Sequence, residues 1–162
     1  MSRALVSIAA ATALTCAVAV NVHAAPGYPY AARCPVAGRN DRVDRWAMYM
    51  CNCTSYVAWA LDAHGQRTDW FEPGEMDARN WPEVARREDI AVGTIPRVGA
   101  VAVWPHLTKF GHVAYVTRVG PRDRFDVAEY NLPTEGAETF AFDIRHGVGR
   151  TGAVFVYVPK RD

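Results

Sequence analysis

The chain has 162 residues, with 18 Lys+Arg against 17 Asp+Glu and 50% hydrophobic residues. That is one domain's worth of chain with a globular composition, which excludes an intrinsically disordered protein. A net charge of +1 excludes a nucleic-acid binder working through a basic surplus, and four Cys are too few for a disulfide-dense miniprotein.

Residues 1–24 read as a secretory signal. Arg3 is their one charge, an Ala-rich apolar stretch follows, and Val22-x-Ala24 supplies the small-x-small cleavage box. The expected cut falls after Ala24. Thr12, Thr15 and Asn21 interrupt the stretch, so it is a weak bilayer span, and no stable membrane insertion is expected after cleavage. The expected location is secreted, periplasmic or extracellular. Loss of Arg3 and of no acid brings the net charge to zero, so any polymeric partner is recognised by shape and local contacts.

Export changes how the cysteines read. Cys34, Cys51 and Cys53 remain in an oxidising compartment. Cys51 and Cys53 are too close in sequence for good bridge geometry. A Cys34–Cys51 bridge closes a loop of 17 residues, worth about 3 kcal/mol in the chain-entropy account. Cys53 is then left as a free thiol, and chemistry is the usual reason to keep one in an exported protein.

In chain order, 25–45 is an irregular N-terminal arm carrying Pro26, Gly27, Pro29, Pro35 and Gly38. The remainder, 46–162, is the expected catalytic domain. Residues 53–64 read as a helix with Val57, Ala60, Leu61 and His64 on one stripe, Cys53 at its head and Gly65 as its stop. Residues 77–87 read as a second helical stretch with a break at Trp81-Pro82. The period then changes to strands at 98–104, 112–119, 125–130, 139–144 and 153–158. Helices first and hairpin-linked antiparallel strands after make an α+β fold.

Three features carry chemistry. Cys53 heads a helix, where free backbone N–H groups and the positive end of the dipole favour an anion; the thiolate is the reactive form. His112 opens an apolar strand, and Gly111 before it leaves room for approach; imidazole is the usual base for a thiol. Glu129 and Asn131 share a strand face. The strands 112–119 and 125–130 flank Gly120-Pro121-Arg122-Asp123-Arg124. Pairing His112 with Asn131 centres the turn between Pro121 and Arg122, whereas pairing it with Glu129 centres the turn between Gly120 and Pro121. Either register sets an acid and an amide beside the imidazole.

These blocks, Cys53-Thr54-Ser55-Tyr56-Val57-Ala58-Trp59, Pro96 to Trp104, Gly111 to Val116 and Glu129-Tyr130-Asn131, resemble the CHAP domain, the cysteine, histidine-dependent amidohydrolase/peptidase family. The likeness covers about 46–158. It implies a papain-like fold with the nucleophile helix packed on an antiparallel sheet. It also implies cleavage of amide bonds in bacterial cell-wall peptidoglycan through a thioester. Carried over by position, Cys53 is the nucleophile, His112 the general base, Glu129 the residue orienting His112, and Asn131 a supporting polar group. The backbone N–H of Cys53 is the candidate oxyanion donor. Asn52 departs from the family's Gln or Glu before the Cys.

Trp104, next to Pro105 at a strand end, and Tyr115 are the candidate substrate-binding aromatics; Tyr115 and Trp59 also suit a core or groove wall. No cofactor and no metal are expected. Cys51-x-Cys53 with His64 lacks the paired spacing of a zinc site, and Asp41 and Asp44 read as solvated surface rather than calcium ligands. Two other functions fit the same residues: a non-catalytic wall-binding module, and an exported toxin or protease. An inert Cys53 thiol would favour the module.

Overall fold

The computed structural model describes residues 25–35, 40–72, 74–75 and 77–162. The expected signal segment, 1–24, lies outside them, as do 36–39 of the arm.

Helix α1, Cys53–Ala63, contains neither Gly nor Pro, and the extended backbone of Asn52 caps it. Gly65 stops it by taking φ +67°, a left-handed conformation that suits glycine. Val57, Ala58, Ala60 and Leu61 are fully buried beneath it. Burial of Val57 and Leu61 contributes about 1.5–3 kcal/mol each. His64 falls past the helix end, exposed, with its Nδ1–H on the Ala60 carbonyl at 2.7 Å. The stretch 77–87 does break at Trp81-Pro82. A 3-10 turn, Ala78–Asn80, leads into α2, Trp81–Arg87, with Pro82 in its first turn.

Six strands follow: β1 (Val92–Gly93), β2 (Val101–Trp104), β3 (His112–Val119), β4 (Phe125–Tyr130), β5 (Phe142–Val148) and β6 (Val154–Val156). They form one antiparallel sheet in the order β1-β6-β2-β3-β4-β5. The fold is therefore α+β, with α1 packed on β3 and β4. Val101, Val103, Val113, Tyr115, Ala128 and Tyr130 meet the helices in one core. Their alternating neighbours, Ala102, Trp104, Ala114, Val116 and Val127, form a second cluster with Phe125 and Phe155.

Near the site end, β3 and β4 pair Tyr115 with Ala128 and Val116 with Val127, the register that runs His112 towards Asn131. An irregularity between Val116 and Arg118 then shifts the pairing by one residue. The turn absorbs it with Arg122 and Asp123 both at φ +55°.

The arm is tied down beside the nucleophile. Cys34 and Cys51 are disulfide-bonded, with Cα atoms 5.4 Å apart. The Tyr28 hydroxyl accepts from Cys51 N–H at 3.0 Å and lies 2.6 Å from Ser55 Oγ. Its ring packs among Tyr30, Tyr56, Trp59 and Tyr130. Asp44, expected on the solvated surface, is buried instead. Its Oδ1 accepts Trp46 N–H at 2.8 Å and Met48 N–H at 3.0 Å, which holds the loop ahead of Cys51.

Gly111 also differs from expectation. Its role is to let two backbones meet, since a Cβ there would lie 2.5 Å from Arg79 N, and its φ is +76°. Phe110 O accepts Arg79 N–H at 2.9 Å across the same contact. Gly111→Ala is expected to cost about 2–4 kcal/mol, combining a disfavoured φ with a backbone clash. Urea denaturation of the two proteins measures this, and a loss below 1 kcal/mol would contradict it.

Candidate active site

Cys53 is the first residue of α1, partly exposed, and the free thiol among the described residues. The first N–H groups of a helix lack intrahelical partners, so the sulfur sits among donors suited to negative charge. His112 opens β3 directly opposite Trp104 on β2. Its ring is 1% exposed, so Gly111 does not open it to approach. Nε2 faces Glu129 Oε2 at 2.6 Å, and Cys53 is close enough to act on the ring electrostatically. Glu129 occupies Nε2, which leaves Nδ1 for the sulfur. Thiol, imidazole and carboxylate, spread over 76 residues of chain from Cys53 to Glu129, are thus brought together.

Electrostatics favour a charged ring. Burial alone pushes the His112 pKa down. The nearby Cys53 sulfur and the Glu129 carboxylate more than offset this and raise it from 6.5 to about 9. Glu129 is fully buried. Burial raises its pKa, but hydrogen bonds from His112 and Arg145 win and hold it below the ordinary value.

Asn131 does a different job from the one its strand position implied. Its φ of +55° ends β4, a conformation Asn tolerates. Its Oδ1 accepts Thr139 N–H at 2.8 Å and Phe140 N–H at 2.9 Å, and its Nδ2 donates to Asn52 Oδ1. It therefore joins the end of β4 to the residue before Cys53. Its side chain thus bonds Asn52, Thr139 and Phe140.

Trp104 is 8% exposed, with its ring 6.2 Å from His112 and 6.3 Å from Phe125. It borders the imidazole as a wall. Tyr115 is placed elsewhere. It stacks on His64 past the far end of α1 and donates its hydroxyl to Gln66 Oε1 at 2.9 Å. Gln66 Nε2 in turn bonds the Gly99 and Val158 carbonyls, so Tyr115 belongs to the structural network there.

Sequence reasoning missed Arg145. It lies on β5 opposite Val127, two pairs along from Glu129 and Asp143 and so on the same face as Glu129. Its Nη2 reaches Glu129 Oε2 at 2.9 Å, its Nε bonds Glu129 Oε1, and its guanidinium lies 5.0 Å from the Trp104 ring centre. The usable signal was a cation one residue past the strand expected at 139–144.

A depression of about 520 Å³ is lined by Arg79 and Asn80 of the 3-10 turn and by Pro105, His106, Thr108 and Lys109 of the loop between Trp104 and His112. Among the described residues, no group of three or more His, Cys, Asp or Glu is placed to hold a metal ion. Among them also, no helix is long and apolar enough to cross a membrane.

A solved N-acetylmuramoyl-L-alanine amidase from Staphylococcus aureus is similar to this chain with a TM-score of 0.53 at 21% identity. The likeness covers 74% of this chain and 34% of that one, so the chain spans about a third of the amidase, and at this identity it shows a shared fold. A search of curated proteins gave no match. A family model, the CHAP domain, matches residues 43–131, more than half of the sequence, and the chain belongs to that family.

Proposed function

We propose that this protein is an exported cysteine amidohydrolase or endopeptidase that cleaves amide bonds of bacterial peptidoglycan through a thioester. One observation carries the reading: a free thiol at a helix head beside a buried imidazole whose Nε2 is held by a buried carboxylate. Family membership and an amidase of like fold support the wall substrate. The disulfide and the signal-like residues 1–24 support export.

Cys53 thiolate attacks the amide carbonyl carbon, and the developing oxyanion is received by the Cys53 backbone N–H. The His112 imidazolium gives its proton to the departing nitrogen as the C–N bond breaks. An amine leaves and a thioester remains on Cys53. Water then attacks the thioester while His112 takes its proton. The C–S bond breaks, a carboxylic acid leaves, and the thiolate–imidazolium pair returns. Glu129 holds the ring and balances its charge throughout.

The test is digestion of purified cell wall by the protein, with the fragments read by mass spectrometry. New amine and carboxyl ends should appear in equal number. Position of the cut distinguishes an amidase acting next to the sugar from an endopeptidase acting within the peptide. Binding to wall without release of any fragment would favour the non-catalytic module.

A further inference from the structure

Glu129 is fully buried, yet it carries more charge-assisted hydrogen bonds than an orienting carboxylate needs. One oxygen accepts from both His112 and Arg145, and the other accepts from Arg145 alone. A guanidinium binding both oxygens fixes the plane of a carboxylate as well as its charge. The same guanidinium lies over Trp104, whose ring borders His112 with an interplanar angle of 35°. Arg145 therefore grips two of the three groups that confine the imidazole. Its side chain is 29% exposed, so it is held in place while keeping one edge in water.

We propose that Arg145 is a positioning residue of the catalytic centre, acting through Glu129 and Trp104 to fix the plane and protonation of His112. This rests on the function proposed above. The charged and titratable groups facing the pair are His112 on β3, Cys53 on α1 beyond it, and Asp143 on β5 opposite Glu129. Asp126, His146 and Arg118 form a separate cluster of their own.

The guanidinium has two separable effects. Its positive charge stabilises the carboxylate form and, through it, opposes excess positive charge on the ring. Removing that charge makes Glu129 a stronger base and lets His112 keep its proton to higher pH. Its fork sets the carboxylate plane, and a point charge does not replace that. Arg145→Met removes both effects, and Arg145→Lys restores the charge without the fork.

Three readouts test this on the full chain: kcat and KM on wall fragments, the pH profile of Cys53 alkylation by iodoacetamide without substrate, and NMR titration of His112. Arg145→Met should lower kcat about 10- to 100-fold with KM within about twofold. Its alkaline limb of alkylation and its His112 titration should both move to higher pH. Arg145→Lys should return both to near the wild-type pH while kcat stays below wild type. A merely structural role would not divide the two variants in this way. Unchanged kcat and unchanged His112 titration in Arg145→Met would overturn the proposal. Should that variant not fold, Arg145→Lys decides: full wild-type kcat overturns the proposal. A wild-type protein inert on wall would sink the proposed function, and the alkylation and NMR profiles would still decide whether Arg145 sets the state of His112.

Discussion

Cys53→Ala is expected to abolish turnover, with kcat down at least about 10⁴-fold and the fold intact. The sulfur forms the bond to the acyl group, so nothing nearby can replace it. Cys51 is tied to Cys34 and fully buried. The residue is partly exposed at a helix head, and Ala is a good helix former, so stability should change little. A second consequence is electrostatic. The Cys53 sulfur is the leading reason that the His112 pKa stands near 9 despite burial. In Cys53→Ala the ring should therefore lose its proton at lower pH, which NMR titration reads directly. The sign extends to stability. A His whose pKa is raised on folding contributes stability that is fully present below pH 6.5 and is lost as pH rises through about 9. Wild type should weaken over that range, and activity should fall above about pH 9 as the proton donor is lost.

Glu129→Gln is expected to lower kcat by about 10³- to 10⁴-fold at nearly constant KM. Gln keeps the shape and removes the charge. Its amide can donate to His112 Nε2, which then has to accept, so the proton moves to Nδ1. That nitrogen faces the sulfur and can no longer take a proton from it. Arg145 also loses its carboxylate, at a cost in stability of about 1–3 kcal/mol, reduced where the side chain turns to water. The pH dependence changes too. A carboxyl held below its ordinary value contributes stability present above pH 4.5 and lost as pH falls through its folded value. The variant should lack that acid-side loss. Equal kcat in the two proteins would contradict the orienting role.

The features that make the site were legible where they were local. Cys53 at a helix head follows from 53–64 lacking Gly and Pro, and the strands expected at 112–119 and 125–130 formed as His112–Val119 and Phe125–Tyr130. Two registers remained open because the turn alone could not choose. The irregularity between Val116 and Arg118 explains why, since the pairing at the turn differs from the pairing at the site. The strand expected at 139–144 formed at Phe142–Val148. Asn131 Oδ1 captures the Thr139 and Phe140 N–H groups that a ladder would have used, and Phe140 turns to φ +46°. That capture is a tertiary contact with no local mark in the sequence. It also moved Arg145 from beyond the expected strand into its middle, which is why the carboxylate's second partner was missed. Strand β1, two residues long, and the loss of 98–100 from β2 have the same origin: short edges are set by neighbours rather than by propensity. Tyr115 was assigned to substrate by residue type, whereas its place on β3 puts it beside Gln66.

The most direct measurement is acid-quenched mass spectrometry of the protein caught during turnover of peptidoglycan fragments. The expected result is an acyl adduct mapped to Cys53, removed by hydroxylamine and missing from Cys53→Ala. Fragment release at the wild-type rate by Cys53→Ala, with no adduct on Cys53 in the wild-type protein, would contradict it.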